Sequence, residues 1–298
     1  MNSSYKSKTN VTNWQFTTAE ADWNSDIKTV EDARRHLRGK GAFHNRYSFY
    51  TNVDRVVQML ETGYLWLTRL DSELFDDGIE HTKYGKKSQA NSLFVKCFQF
   101  GTQESAAMWG LYCPPTYKAI RVTVSCAAFG ELASAPCFKT KGKRVCKTKV
   151  ALASQWVQDI FYAVVHRSEN DTRRENTLWH DGEYTNPIKN LQRQISNTRG
   201  TGVVKDIEWR FEDEARLYAK TRKPSKADHI AVELPDSFMK SMSFVFSPWS
   251  SEQERKFVKT RIIDAFENGG RTVTAENAFS ESALQDGLKL WARRLGAS

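Results

Sequence analysis

The chain has 298 residues, the size of one large domain or two small ones, and 40% hydrophobic with 12% aromatic residues excludes disorder by low hydrophobicity over most of its length. No apolar run approaches the roughly 18 residues a membrane span needs, and MNSSYKSKTNVTNWQF has no signal-peptide core, so a soluble, cytoplasmic protein without membrane contact is expected. The formal charge of +9 and pI of about 9.2 suit an anionic partner, whether nucleic acid, nucleotide or acidic lipid.

Residues 1–24 are polar and aperiodic and read as an N-terminal arm that packs, if at all, through Trp14, Phe16 and Trp23. The remainder, 25–298, reads as a single mixed α+β domain. TVEDARRHLR (29–38) is a short helix closed by Gly39. NVDRVVQMLETG is a second, with Asn52 as N-cap, Val53, Val56, Val57 and Leu60 on one face, and Gly63 closing it. Strand-like RYSFY (46–50) and YLWLT (64–68) flank it.

LFVKCFQF (93–100), a helical ESAAMWGLY (104–112) and a strand AIRVTVSC (119–126) follow, the last with Ile120, Val122 and Val124 on one face. The basic run KTKGKRVCKTK (139–149) reads as a solvated loop or helix entry, or as a tract following a phosphate backbone through Lys141, Lys143 and Arg144. The apolar stripe of 149–168 (Val150, Trp156, Val157, Ile160, Phe161, Val164) predicts a core helix, opening a helical insertion over about 149–204 that includes the short helix LQRQIS. HIAVELP and MSFVFSP are strand candidates. SSEQERKFVKTRIIDAF is a helix capped by Ser250 or Ser251, with Phe257, Ile262, Ile263 and Phe266 inward.

Cys97, Cys113, Cys126, Cys137 and Cys146 include no pair at zinc-site spacing, and reduced thiols are expected, with Cys97 and Cys126 as buried small hydrophobes. The six histidines lack the one-turn spacing of a helical metal pair. No metal is expected, and no glycine-rich phosphate loop is present.

Three segments could carry chemistry. In WRFEDEARLY (209–218), strand geometry puts Arg210, Glu212, Glu214, Arg216 and Tyr218 on one side and Phe211, Asp213, Ala215 and Leu217 on the other, with two carboxylates about 7 Å apart between arginines. A self-neutralised solvent face, or a helix pairing Glu212 with Arg216, explains the same pattern. In MWGLY, Trp109 and Tyr112 share a helical face that either stacks a planar ligand or packs in the core. In HNRYSFYTN, Arg46 and Tyr47 lead a strand into the Asn52-capped helix, where an arginine could hold a phosphate.

Taken in order, Arg46-Tyr47, LETGYLWLTRLDSELFDDGIE (60–80), KCFQF (96–100), MWGLY (108–112) before AIRVTV, and Lys205 with Trp209, Glu212, Glu214 and Arg216 resemble a bacterial domain family of unknown function, the one numbered twenty-nine seventy-one. The resemblance spans about 44–265. Where that family usually has Asn-Asp-Pro and an acid, this chain has Phe75-Asp76-Asp77-Gly78 with Glu80.

A looser similarity, a first strand with Arg and a late Glu-x-Glu strand, is to ADP-ribosyltransferases, although KCFQF stands where their Ser/Thr signature would be. That similarity implies a sheet with flanking helices and NAD as substrate. It also implies that Arg46, with Tyr47 and Arg216, binds the dinucleotide, that Trp109 or Tyr112 stacks nicotinamide, that Glu214 stabilises the sugar cation and that Glu212 positions an acceptor, nucleic acid or protein. A bacterial toxin or phage-defence setting goes with it. The alternative is a nucleic-acid-binding or nucleic-acid-processing protein without NAD chemistry.

Overall fold

The computed structural model describes residues 46–72, 90–113, 116–159, 211–212, 214–285 and 287. The arm over 1–24, the helix over 29–38, the turn at 75–80, residues 160–210 with LQRQIS, Lys205, Trp209 and Arg210, and Asp213 lie outside them.

The described chain runs β1 (Arg46–Asn52), α1 (Val53–Thr62), β2 (Tyr64–Arg69), β3 (Leu93–Phe100), α2 (Ala106–Tyr112), β4 (Ala119–Ser125), α3 (Cys126–Leu132), β5 (Cys137–Lys141), β6 (Arg144–Lys149) and β7 (Leu152–Asp159). It continues through β8 (Glu214–Thr221), β9 (His229–Glu233), α4 (Asp236–Lys240), β10 (Ser243–Phe246), α5 (Glu252–Asn268) and β11 (Phe279–Ser280). The architecture is α+β, one sheet with flanking helices. Its strands lie in the order β11-β10-β4-β1-β3-β2-β9-β5-β6, with β8 on the free edge of β3 and β7 outside β8. The described pairings are antiparallel except β10 with β11.

Directly opposed residues in antiparallel strands share a face, so the register sorts side chains into two sets. Tyr47, Phe49, Phe98, Phe100, Val122, Val124, Phe244, Ala215 and Leu217 form one apolar face and the main core. Helix α1 covers it because Val53, Val56, Met59 and Leu60 recur at helical spacing; Asn52 caps its N-terminus by accepting from the Asp54 N–H, and Gly63 closes it in the left-handed region at φ 71°. Each such buried aliphatic side chain contributes about 1.5–3 kcal/mol.

Helix α5 adds Val258, Ile262, Ala265 and Phe266, with Ser251 and Glu254 in a capping box. Phe257, expected inside, stands outside that stripe and is 52% exposed. The opposite face carries Arg46, Ser48 and Tyr50 on β1, Cys97 and Gln99 on β3, Arg121 and Thr123 on β4, and Glu214, Arg216 and Tyr218 on β8.

Two expected elements take other forms. Leu152–Asp159 is a strand on the outer edge of β8, not the start of a helix: its apolar positions fit either period, and the open edge of β8 decides. The basic run is the β5–β6 hairpin, turning at Gly142 (φ 59°) and Lys143. All five cysteines are free thiols; Cys113 and Cys137 are the buried ones, whereas Cys97 and Cys126 are half-buried.

Candidate active site

The polar face owes its form to strand alternation. One row crosses five strands, with Ser243, Thr123, Ser48, Gln99 and Glu214 successively opposed from β10 to β8. Ser48 donates its hydroxyl to the Gly101 carbonyl at 2.6 Å and accepts from Thr123 Oγ1 at 3.0 Å. At the row's end Glu214, 2% exposed, meets Arg216, fully buried: Nε donates to Oε1 at 2.7 Å and Nη2 to Oε2 at 3.1 Å. The two groups sit two residues apart on one strand, which puts them on one side of the sheet.

Helix α2 closes over this end of the face. Ser105 caps it, and Met108 and Trp109 dock it through a second apolar cluster with Tyr50, Cys113 and Ala119, against which Phe211 also packs. That docking brings the last residue of the helix, Tyr112, to the turn before β8, where its hydroxyl donates to Glu212 Oε1. Burial, then the negative charges of Glu212 and Glu214, push the Tyr112 hydroxyl well above its ordinary range, so it stays a donor. Tyr112 is 38% exposed and Glu212 is buried.

The residues singled out from the sequence divide accordingly. Glu212, Glu214, Arg216 and Tyr112 come together, but Glu212 belongs to the turn preceding β8 and is positioned by Tyr112, not by strand spacing. The carboxylates lie beneath α2 and do not form an open ionic face.

Trp109 is fully buried, its ring edge-on to Tyr50 and Trp249 and its Nε1 donating to Glu104, so it has no face for a ligand. Tyr47 points to the apolar side, between Phe100 and Phe129, because strand alternation sends it away from Arg46. Arg46 is on the polar face, its Cα about 12 Å from that of Glu214 by two strand spacings and two residues of rise. Its Nη1 reaches Ser243 Oγ at 3.4 Å, toward β10. Lys141, Lys143 and Arg144 are exposed on the hairpin, on strands beyond β2 and β9 from the site.

Sequence reading missed Ser48, Gln99 and Arg121. Arg121 is 1% exposed, with Nη2 donating to the Gly101 and Gln103 carbonyls and its guanidinium over the Tyr50 ring. The alternation in RYSFYTN, KCFQF and RVTVS carried the signal. Among the described residues no group of three or more His, Cys, Asp or Glu could hold a metal ion, and no helix is long and apolar enough to cross a membrane.

No family model matches the chain, so the resemblance to the domain family of unknown function rests on its motifs, and no curated protein matches it. Similar solved structures include Thermus sp. 2.9 DarT in complex with carba-NAD+ (12% identity, TM-score 0.36), with NAD+ (10%, 0.35) and with ADP-ribosylated ssDNA (11%, 0.37). The matches cover 81–82% of this chain and 96% of those. At these scores the likeness carries no argument about this chain's chemistry.

Proposed function

We propose that the chain cleaves the nicotinamide–ribose bond of NAD+ and transfers ADP-ribose to a nucleophilic acceptor. The observation that carries this reading is Glu214 fixed as a carboxylate by the bidentate Arg216, beneath α2 and beside the Tyr112–Glu212 pair. As the C1′–N bond breaks, its electron pair leaves with neutral nicotinamide and positive charge develops on the ribose. A preorganised anion at that face lowers the barrier.

The acceptor hydroxyl or amine then bonds to C1′ and gives up its proton, for which Glu212 is the base, while Tyr112 keeps its own proton and holds Glu212 in place. Water as acceptor yields free ADP-ribose. Arg46 takes the pyrophosphate by swinging from Ser243, and the exposed Tyr112 ring is the stacking surface in place of buried Trp109.

Nucleic acid is the acceptor class we favour, for the exposed cations of the hairpin. Thermus sp. 2.9 DarT has been solved with NAD+ and with ADP-ribosylated ssDNA; our reading for this chain stands on its own site. A bacterial toxin or antiviral-defence setting belongs to the same proposal. The experiment is nicotinamide release from NAD+ by the purified chain, with and without single-stranded oligonucleotide. Release that disappears in Glu214→Gln is expected; none from the wild-type chain under either condition overturns the reading. The second reading, nucleic-acid binding without NAD chemistry, would then stand if salt-sensitive binding persists.

A further inference from the structure

Arg121 is 1% exposed, yet no carboxylate among the described residues pairs with it and its buried Nε has no hydrogen-bond partner. A cation taken out of water without a counter-ion lowers stability, so stability does not account for it. Its contacts are directional instead. Nη2 donates to the Gly101 and Gln103 carbonyls at 3.3 and 3.2 Å, and the guanidinium lies over the Tyr50 ring, whose hydroxyl accepts the Ser105 N–H at 2.9 Å.

These contacts converge on residues 101–105, which join β3 to α2. Met108 and Trp109 dock α2 by apolar contact, which is non-directional and tolerates sliding. Hydrogen bonds fix where the helix starts. Glu104 ties the segment outward, to Ser282 and Ala283, whereas Arg121 ties it at two points to β4 and so to the sheet that carries Glu214. Helix α2 has seven residues, so Tyr112 stands about 9 Å along the axis from Ala106. A displacement of about 1 Å there is more than a hydrogen bond tolerates.

We infer that Arg121 is a positioning residue of the candidate site, acting through the 101–105 segment and α2 to hold the Tyr112 hydroxyl on Glu212. The inference rests on the NAD+ reading only for what that pair does with substrate. Arg121 touches neither substrate nor the reacting atoms.

The test uses Arg121→Met, which removes the charge and both donors, and Arg121→Gln, whose amide can serve one carbonyl. The melting temperature of Arg121→Met should hold or rise, because an unpaired buried charge has gone, Gly101 O keeps the Ser48 hydroxyl and Gln103 is exposed to water. The site should change nonetheless. Tyrosine ionisation is followed by absorbance in the folded protein, each form being compared with its own Tyr112→Phe counterpart so that the difference is Tyr112 alone. Wild-type Tyr112 should stay protonated to pH 11, held by burial and by the charges of Glu212 and Glu214. In Arg121→Met it should ionise within about one unit of pH 10, and in Arg121→Gln in between. With NAD+, KM should rise as Tyr112 leaves its stacking position, and kcat should fall about tenfold to a hundredfold as Glu212 loses its hold.

A Tyr112 titration in Arg121→Met identical to wild type overturns the positioning role, whatever the activity. Failure of both variants to fold makes Arg121 structural and likewise overturns it. A shifted titration in a chain whose wild type never cleaves NAD+ supports the positioning and overturns the NAD+ reading alone.

Discussion

Arg216 grips Glu214 with two parallel hydrogen bonds, Nε to Oε1 at 2.7 Å and Nη2 to Oε2 at 3.1 Å, from two residues along β8 with both side chains buried. Such a pair is costly to break from one side, because the remaining charge stays in a medium that solvates it poorly. Glu214→Gln should therefore do two things. Nicotinamide release should fall about a hundred- to a thousandfold as the transition state loses its counter-charge. The fold should lose about 3 kcal/mol with the uncompensated guanidinium, lowering the melting temperature by about 5–10 °C. Glu214→Gln with Arg216→Met should recover most of the melting temperature and none of the activity. Recovery of both would show that charge at 214 has no part in turnover.

Tyr112 gives a pH prediction whose sign follows from its environment. Burial and the charges of Glu212 and Glu214 raise its pKa in the folded chain, whereas in the unfolded chain it ionises near its ordinary value of about 10. The stability it contributes is thus fully present below pH 10 and is lost as pH rises above that value, where the unfolded state releases a proton that the folded state keeps. Tyr50, also raised by burial, acts in the same direction. Melting temperature followed from pH 8 to 11 should fall at the alkaline end, and less steeply for Tyr112→Phe. Equal slopes for the two proteins would show that Tyr112 ionises alike in both states.

Much of the fold was legible because it rests on local chemistry. Asn52 and Gly63 bound their helix as the sequence implies, and alternation in AIRVTV sets the apolar face of β4. Glu214 and Arg216 could be placed on one face by the same rule. The rest depends on contacts distant in sequence. That Glu212 is held by Tyr112, a hundred residues away, follows from the docking of α2. That Trp109 is core and Tyr112 is not depends on which side of α2 meets Tyr50. The pairing of 152–159 depends on β8, more than fifty residues downstream. Gln99 went unnoticed because only the register of β1, β3 and β8 shows that it stands between Ser48 and Glu214 on the polar face.

The crossing of α1 and α5 predicts a sharp contrast between two glycines. A Cβ on Gly269 would stand 2.5 Å from the Leu60 carbonyl oxygen and 2.8 Å from Arg271 Nη1, which itself donates to Leu60 O and Gly269 O. Backbone cannot yield as a flexible side-chain end can, so Gly269→Ala should force the helices apart and cost about 1–3 kcal/mol. Gly130, inside α3 with nothing within 4 Å of an added Cβ, should tolerate alanine and gain about 0.5–1 kcal/mol from helix propensity. Urea unfolding of the two variants checks both signs.

The β5–β6 hairpin sets Lys141 directly opposite Arg144, with Lys143 in the turn between them and all three exposed. Like charges at opposed strand positions destabilise a hairpin, so the arrangement suits a surface that meets an anion. If that anion is a nucleic-acid strand, each neutralised phosphate releases counterions, and the slope of log K against log salt counts the contacts. Replacing Lys141, Lys143 and Arg144 with Gln should flatten that slope by about two to three units while NAD+ hydrolysis in the absence of nucleic acid stays at its wild-type rate. The hairpin lies beyond β2 and β9 from Glu214, so the three substitutions leave the surroundings of Glu214 unchanged. Titration of labelled single- and double-stranded oligonucleotides at several salt concentrations measures the slope. Binding indifferent to both salt and the three substitutions would leave the hairpin outside the interface and move the search for acceptor contacts to the polar face itself.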